Sequence, residues 1–376
     1  MKRKLKTGFT TGTAAAAAAK GALDYLLQGR MPTRVEIELL SGGKITIALH
    51  RCKRLSKNRA ACTVIKDAGD DPDVTHKAEI GADVTLEAPP AAGRSENRTS
   101  GGVRITGGVG VGRITKPGLE MPPGEPAINS GPRKMIHQAI AETLDKHGVQ
   151  GRVAVEVYVP RGAEIAKKTL NARLGILGGI SILGTSGLVR PMSHDAFIAT
   201  IESALSVARA TGNSQVVLTT GRRSERYARQ YWPGLPEEAF VQIGDFFKRS
   251  LQIAAGRGFA RIRLAAFFGK ALKMAQGAEY THAARSPLTL KKLSEWARQV
   301  TRDLELSAGI LSANTARQAF DIIGADHPEL IAHVGRQAIS SAKMFADKAV
   351  RIDCVIFDYE GSVAYDSTTS RIGFVQ

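Results

Sequence analysis

Apolar and polar residues alternate along VEIELL (35–40) and KITIAL (44–49) on either side of Ser41-Gly42-Gly43. A period of two broken by a tight turn predicts a β-hairpin. AACTVIK (60–66), DVTLEA (83–88) and VAVEVYVP (153–160) predict further strands. Ahead of them, GFTTGTAAAAAAKGALDYLLQG (8–29) holds strong helix formers, with Thr11 or Thr13 as the expected N-cap and Gly29 as the C-cap. PRKMIHQAIAETLDKHG (132–148) has helical periodicity and a glycine stop. PPAAGRSENRTSGG (89–102) predicts a mobile excursion.

From about residue 193 the pattern changes. A helix across HDAFIATIESALSVARATG precedes the apolar run QVVLTTG, then a helix, FVQIG, a helix and RIRLAAF. Short apolar strands alternating with helices predict a parallel sheet covered by helices. Helical segments fill roughly 287–350 and DCVIFD (353–358) supplies one more buried strand. The expectation is two domains, 1–190 and 191–376, the first α+β and the second α/β.

Composition narrows the class. The run MKRKLK followed by alanines imitates a secretory leader, but alanine is barely apolar and Gly8–Thr13 intervenes. No window approaches the roughly 18 uncharged apolar residues of a membrane span. A soluble, cytoplasmic protein without membrane attachment is expected. Cys52, Cys62 and Cys354 have no CxxC spacing and one is odd, so neither a disulfide framework nor a metal site is expected. Lysine and arginine outnumber the acids by 52 to 35, a charge of +17 that favours anionic partners without choosing among them.

The candidate chemistry lies in glycine-bearing loops: GFTTGT (8–13), TGGVGVGRITKPG (106–118), NARLGILGGISILGTSG (171–187) and TTGRRSE (219–225). Glycine lets backbone N–H groups approach an anionic ligand. Gly108, Gly110 and Gly112 do not complete a GxGxxG frame, and Gly269-Lys270 lacks a P-loop frame. Asp67, Asp70, Asp71 and Asp73 fit no EF-hand spacing, but such carboxylates suit a ribose diol or an ammonium. His282, in a polar loop, is the histidine best placed for proton transfer.

Taken together these blocks resemble one family, the S-adenosylmethionine-dependent cobalt-precorrin-5B C1-methyltransferases of anaerobic cobalamin biosynthesis. The resemblance rests on GFTTGT with its alanine helix and Lys20, VIKDAGDDPDVT (64–75), GVGRITKPGL (110–119), GEPAIN (124–129) and KTLNARLGILGGISILGTSGLVRPMS (168–193), in that order. It continues through TTGRRSE, Gly244-Asp245-Phe246, Gly269-Lys270, Thr281-His282 and Arg285-Ser286. Two positions depart from it: Ala14 stands where members commonly carry cysteine, and Phe267-Phe268-Gly269-Lys270 where many read GHIGK.

The resemblance implies a first domain like the second domain of ribosomal protein S5 and a Rossmann-like second domain. It implies methyl transfer from S-adenosylmethionine to C1 of a cobalt-containing tetrapyrrole, cobalt-precorrin-5B, giving cobalt-precorrin-6A, with no protein-bound metal. On that reading Asp67, Asp70, Asp71, Asp73 and glycines 108, 110, 112, 178 and 179 face the cofactor. Lys66, Lys116, Arg190, Thr10, Thr11 and Thr13 face the substrate, and His282 is the one candidate for a catalytic side chain. A homo-oligomer is compatible with this. The rivals are an RNA-binding protein, which the 6% aromatic content disfavours, and a small-molecule phosphotransferase, which the proline in TGGVGVGRITKPG disfavours.

Overall fold

The computed structural model describes residues 5–87, 102–283, 290–347 and 349–369, so most of the 89–102 stretch and Arg285-Ser286 lie outside the described residues. The chain divides into two compact units, Met1–His194 and Asp195–Gln376.

The first unit runs β1 (Gly8–Phe9), α1 (Thr11–Gln28), β2 (Arg34–Glu38), β3 (Lys44–Ala48), β4 (Arg51–Arg54), β5 (Arg59–Ile65) and β6 (Glu79–Glu87). It continues through β7 (Val103–Gly107), β8 (Arg113–Ile114), α2 (Ser130–His147), β9 (Arg152–Tyr158), α3 (Gly162–Ala166), β10 (Ile176–Leu177) and β11 (Leu188–Val189). The expected hairpin is β2–β3, with Glu38 opposite Lys44. A five-stranded sheet has the order β4-β5-β6-β9-β7. Its neighbours are antiparallel except β7 and β9.

One face of this sheet packs on α1, and α2 covers the far side of that helix. Ala14 to Ala19 are therefore fully buried on every side of the helix, not on one stripe. A helix pressed between a sheet and a second helix must be thin, and alanine gives a thin helix at the lowest conformational cost. Thr10 is the N-cap, its hydroxyl accepting from Thr13 N, in place of the expected Thr11 or Thr13; Gly29 is the left-handed C-cap at φ 74°.

The cysteine expectation is corrected. Cys52 on β4 and Cys62 on β5 are direct cross-strand partners and form a disulfide, with Cα atoms 4.1 Å apart. The basic stretch RCKRLSKNR contains the hairpin turn that brings them opposite, a turn with no apolar alternation to announce it. Cys354 is free and buried.

The second unit runs α4 (His194–Ala210), β12 (Gln215–Thr219), α5 (Arg222–Tyr231), β13 (Phe240–Gln242), α6 (Phe247–Gly256), β14 (Arg261–Phe267) and α7 (Phe268–Ala275). After it come α8 (Leu290–Thr301), α9 (Leu304–Ser312), α10 (Ala316–Ile323), α11 (Pro328–Ala346), β15 (Arg351–Phe357) and β16 (Val363–Asp366). The sheet order is β13-β12-β14-β15-β16, parallel except for the edge strand β16. Val216 and Leu218 join the large helical cluster on one face, while Val217 points to a smaller cluster with Ala228 of α5 and Phe240. Burial on both faces explains why these strands read as unbroken apolar runs. No helix among the described residues is long and apolar enough to cross a membrane.

Candidate functional site

The loops quoted from the first half of the chain are one interlocked layer. Segment 176–187 runs through its middle. On one side it meets the start of α1: Thr10 N donates to Gly187 O at 3.0 Å and Gly12 N to Leu183 O at 3.2 Å. Thr13 Oγ1 donates to Gly187 O at 2.6 Å, and Leu183 N donates to Thr11 Oγ1 at 2.9 Å. On the other side Gly112 N donates to Ile180 O at 2.9 Å and Ile180 N to Gly110 O at 3.0 Å. Residues 124–129 close the layer through Ala127 N to Gly112 O at 2.7 Å and Asn129 N to Ile182 O at 3.0 Å.

Two glycines in it are required by space. Gly110 has φ +72°, and a Cβ there would lie 1.9 Å from Val159 O. A Cβ on Gly179 would lie 2.1 Å from Gly110 O. The three threonines are buried and hydrogen-bonded within the protein, and Gly108 N is taken by Val157 O at 2.8 Å. Gly178 alone of the five glycines is turned outward into open space, at φ +80°.

The acidic loop clasps both ends of this unit. Lys6 Nζ pairs with Asp67 at 2.7 Å and Lys6 N donates to Asp70 at 2.7 Å, while Met192 N donates to Asp71 at 2.9 Å. Lys6 and then the Gly69 amide hold the Asp67 carboxyl below its ordinary range. Lys66 is only 1% exposed and its Nζ lies 2.6 Å from Asp73 Oδ2. Burial pushes the Asp73 carboxyl up, but the Lys66 ammonium and the Thr75 hydroxyl and amide outweigh it, so the net shift is downward. Lys116 Nζ reaches Arg173 O at 3.3 Å, and Arg190 is exposed just past β11.

In the second unit the strand order reverses between β12 and β14, the place where open parallel sheets form a ligand crevice at the strands' carboxyl ends. Asp245, after β13, pairs with Lys270 of α7. Thr281 is fully buried; its hydroxyl donates to Asp245 at 3.1 Å and its carbonyl accepts from Lys270 and Lys273, each at 3.2 Å. Burial, reinforced by Lys270, pushes the Lys273 ammonium down. The Arg223 guanidinium sits 4.7 Å above the Phe267 ring, which stacks on Tyr359. His282 is exposed, its ring stacked on Tyr280 at 6.0 Å.

Family comparison matches residues 1–191 to the profile described as CbiD and residues 280–368 to CbiD, C-terminal domain. The chain is 45% identical over 322 residues to the cobalt-precorrin-5B C(1)-methyltransferase of Geobacillus thermodenitrificans, covering 86% of this chain and 83% of that one. It is 43% identical to the protein of the same name from Geobacter sulfurreducens, covering 96% and 99%. The chain belongs to the CbiD family. A crystal structure of a cobalamin biosynthesis protein (cbiD) from Archaeoglobus fulgidus matches at 28% identity and a TM-score of 0.40, covering 75% of this chain and 83% of that one.

The blocks that carried the family resemblance in the first unit are thus the parts that lock its loops together. The CbiD chain brings Thr10, Thr11, Thr13, Gly110, Gly112 and Gly179 into one layer, and gathers the four loop aspartates at its edge. Sequence reading missed Lys6, which ties Asp67 and Asp70, and assigned no task to Asp245, Lys270 and Lys273. Their signal was position: polar residues just past the carboxyl ends of parallel strands. Among the described residues no His/Cys/Asp/Glu group has the geometry to hold a metal ion.

Proposed function

We infer that the protein is an S-adenosylmethionine-dependent C-methyltransferase that methylates C1 of cobalt-precorrin-5B. The observation that carries this is near-full-length similarity to relatives of that name, 43% identity over 96% of the chain, with the matching blocks converging on one loop layer. Cobalt enters as part of the substrate.

The transfer is a displacement at the methyl carbon. When bound, the sulfonium donor would supply an electrophilic methyl: a pair from the macrocycle would become the new C–C bond at C1, and the separate methyl–sulfur bonding pair would leave with the neutral thioether. A sulfonium leaving group needs no protonation, so the protein's contribution is alignment and exclusion of water. A layer fixed by backbone hydrogen bonds suits that task. On this reading His282 is not required as an acid or base.

The threonines, Asp67, Asp70, Asp71 and the buried Lys66–Asp73 pair then act on the ligands indirectly, by holding the loops that face them. Arg190 is the predicted substrate-side cation that projects into solvent, where it can pair with acetate and propionate side chains. We read the second unit as Rossmann-like, supported by its parallel sheet and strand reversal, and the first as S5-like, supported by its helix-backed mixed sheet.

Anaerobic incubation with cobalt-precorrin-5B and methyl-labelled S-adenosylmethionine tests the function. Label is expected in the macrocycle at C1. Label that stays in the donor, with intact substrate recovered, refutes the reading.

A further inference from the structure

The first unit's sheet has a second face, which neither α1 nor α2 covers. The register of its strands places Arg51 of β4, Thr63 of β5, Gly81 of β6 and Tyr158 of β9 directly opposite one another in a row across it. The next row holds Lys53, Ala61, Asp83 and Glu156. Small residues on the two middle strands make a floor between a cationic wall on β4 and an aromatic, acidic wall on β9. The result is a groove of about 560 Å³ whose lining also includes Val109 and Pro160.

Three details mark the groove as built for a ligand. Thr63 lines it, is only 6% exposed, and carries a buried hydroxyl with no hydrogen-bond partner. A buried hydroxyl without a partner costs about 1–3 kcal/mol, so it is tolerated where something else satisfies it. Next, Gly81 is needed because the Tyr158 ring lies on it; a Cβ there would come 2.2 Å from the ring. Finally, Val109 is 74% exposed at the tip of the glycine loop that packs into the layer described above. The groove and that layer are therefore joined through one short loop.

The polar groups also match one class of molecule. Asp83 is bound by Arg59 at 2.8 Å, but Glu79, Glu156, Arg51 and Lys53 have no ion pair among the described residues. Two free carboxylates and two free cations suit a zwitterion. The distance from β4 to β9 is three strand spacings, about 14 Å, and the volume falls within the roughly 300–1,000 Å³ usual for small-molecule sites.

We propose that this open sheet face binds the nucleoside–amino-acid methyl donor, with its adenine against Tyr158, its ribose hydroxyls toward Glu156 and its α-carboxylate toward Arg51 and Lys53. The assignment rests on the methyltransferase reading and names its cofactor site. Burial, with Glu79 and Asp83 nearby, pushes the Tyr158 phenol up.

Calorimetric titration of the full chain with S-adenosylhomocysteine tests it. Tyr158→Ala and Glu156→Gln should each weaken binding by at least about tenfold. Thr63→Val should weaken binding while raising the melting temperature of the free protein, because it removes the orphaned hydroxyl; a merely structural threonine would lose stability and leave affinity alone. If the wild type binds and transfers methyl while all three folded variants bind as tightly, the groove assignment is overturned and the function stands. If the groove variants lose binding but the wild type never labels cobalt-precorrin-5B, the function fails and the site stands. If the wild type does not bind S-adenosylhomocysteine, the site proposal is overturned.

Discussion

Replacing Asp73 by asparagine strands the most deeply buried charge in the first unit. Lys66 is 1% exposed and its ammonium faces Asp73 at 2.6 Å, while the Asp73 side chain keeps 25% of its surface in solvent. Asparagine keeps the shape and leaves a neutral acceptor, so what is lost is the opposite charge. Breaking a buried pair by removing one partner costs about 3–5 kcal/mol. A ceiling follows from the alternative open to the protein, which is to fold with the amine neutral. A lysine that titrates near 10.4 in water pays about 4.6 kcal/mol to lose its proton at pH 7 and about 1.9 kcal/mol at pH 9. The expected defect is therefore about 3 to 4.6 kcal/mol at pH 7, shrinking to about 2 kcal/mol or less at pH 9. The sign is fixed because the unfolded variant would bind the proton that the folded one gives up, so its stability rises with pH.

The wild-type pair behaves differently. Its folded carboxyl sits below the ordinary 3.8, so its contribution is complete above that value and is lost only as pH falls through the lowered value. The assay must see the first unit, and both tryptophans, Trp232 and Trp296, are in the second. Hydrogen exchange of peptides from 59–87 in increasing urea reports the right region. An Asp73→Asn chain as resistant as the wild type at pH 7, or a defect that does not diminish at pH 9, refutes the account. A Lys66→Met, Asp73→Asn double variant should recover much of the loss, because it buries no charge.

Four further outcomes are expected. Removing the Cys52–Cys62 bond by alanine at both positions should cost about 2–3 kcal/mol, read by the same exchange experiment. Burial pushes the Cys354 thiol up to about 12, so Ellman's reagent should leave it unlabelled until the second unit unfolds. Gly110→Ala, at φ +72° with Val159 O 1.9 Å from the new Cβ, should prevent stable folding of the first unit. Gly178→Ala, at φ +80° in open space, should lower stability by only about 1–2 kcal/mol, both measured by thermal denaturation.

Much of this molecule was written in local sequence. Alternation in VEIELL and KITIAL set the hairpin, and apolar runs buried on both faces marked the second unit's strands, because period and run length depend on which faces are covered. The signature blocks marked the loops, since close backbone approach admits only glycine at positions such as 110 and 179. The chain alone did not reveal which groups spend their charge inside the protein. Asp67, Asp70 and Asp71 read as ligand-facing, yet their partners Lys6 and Met192 lie far off in sequence and meet them only once the loops fold together, while Lys66 and Asp73 spend their charges on each other. The Cys52–Cys62 bond and the rows Arg51-Thr63-Gly81-Tyr158 and Lys53-Ala61-Asp83-Glu156 depend on strand register. Register is a property of paired strands, fixed by which faces meet the core, and no single strand carries it.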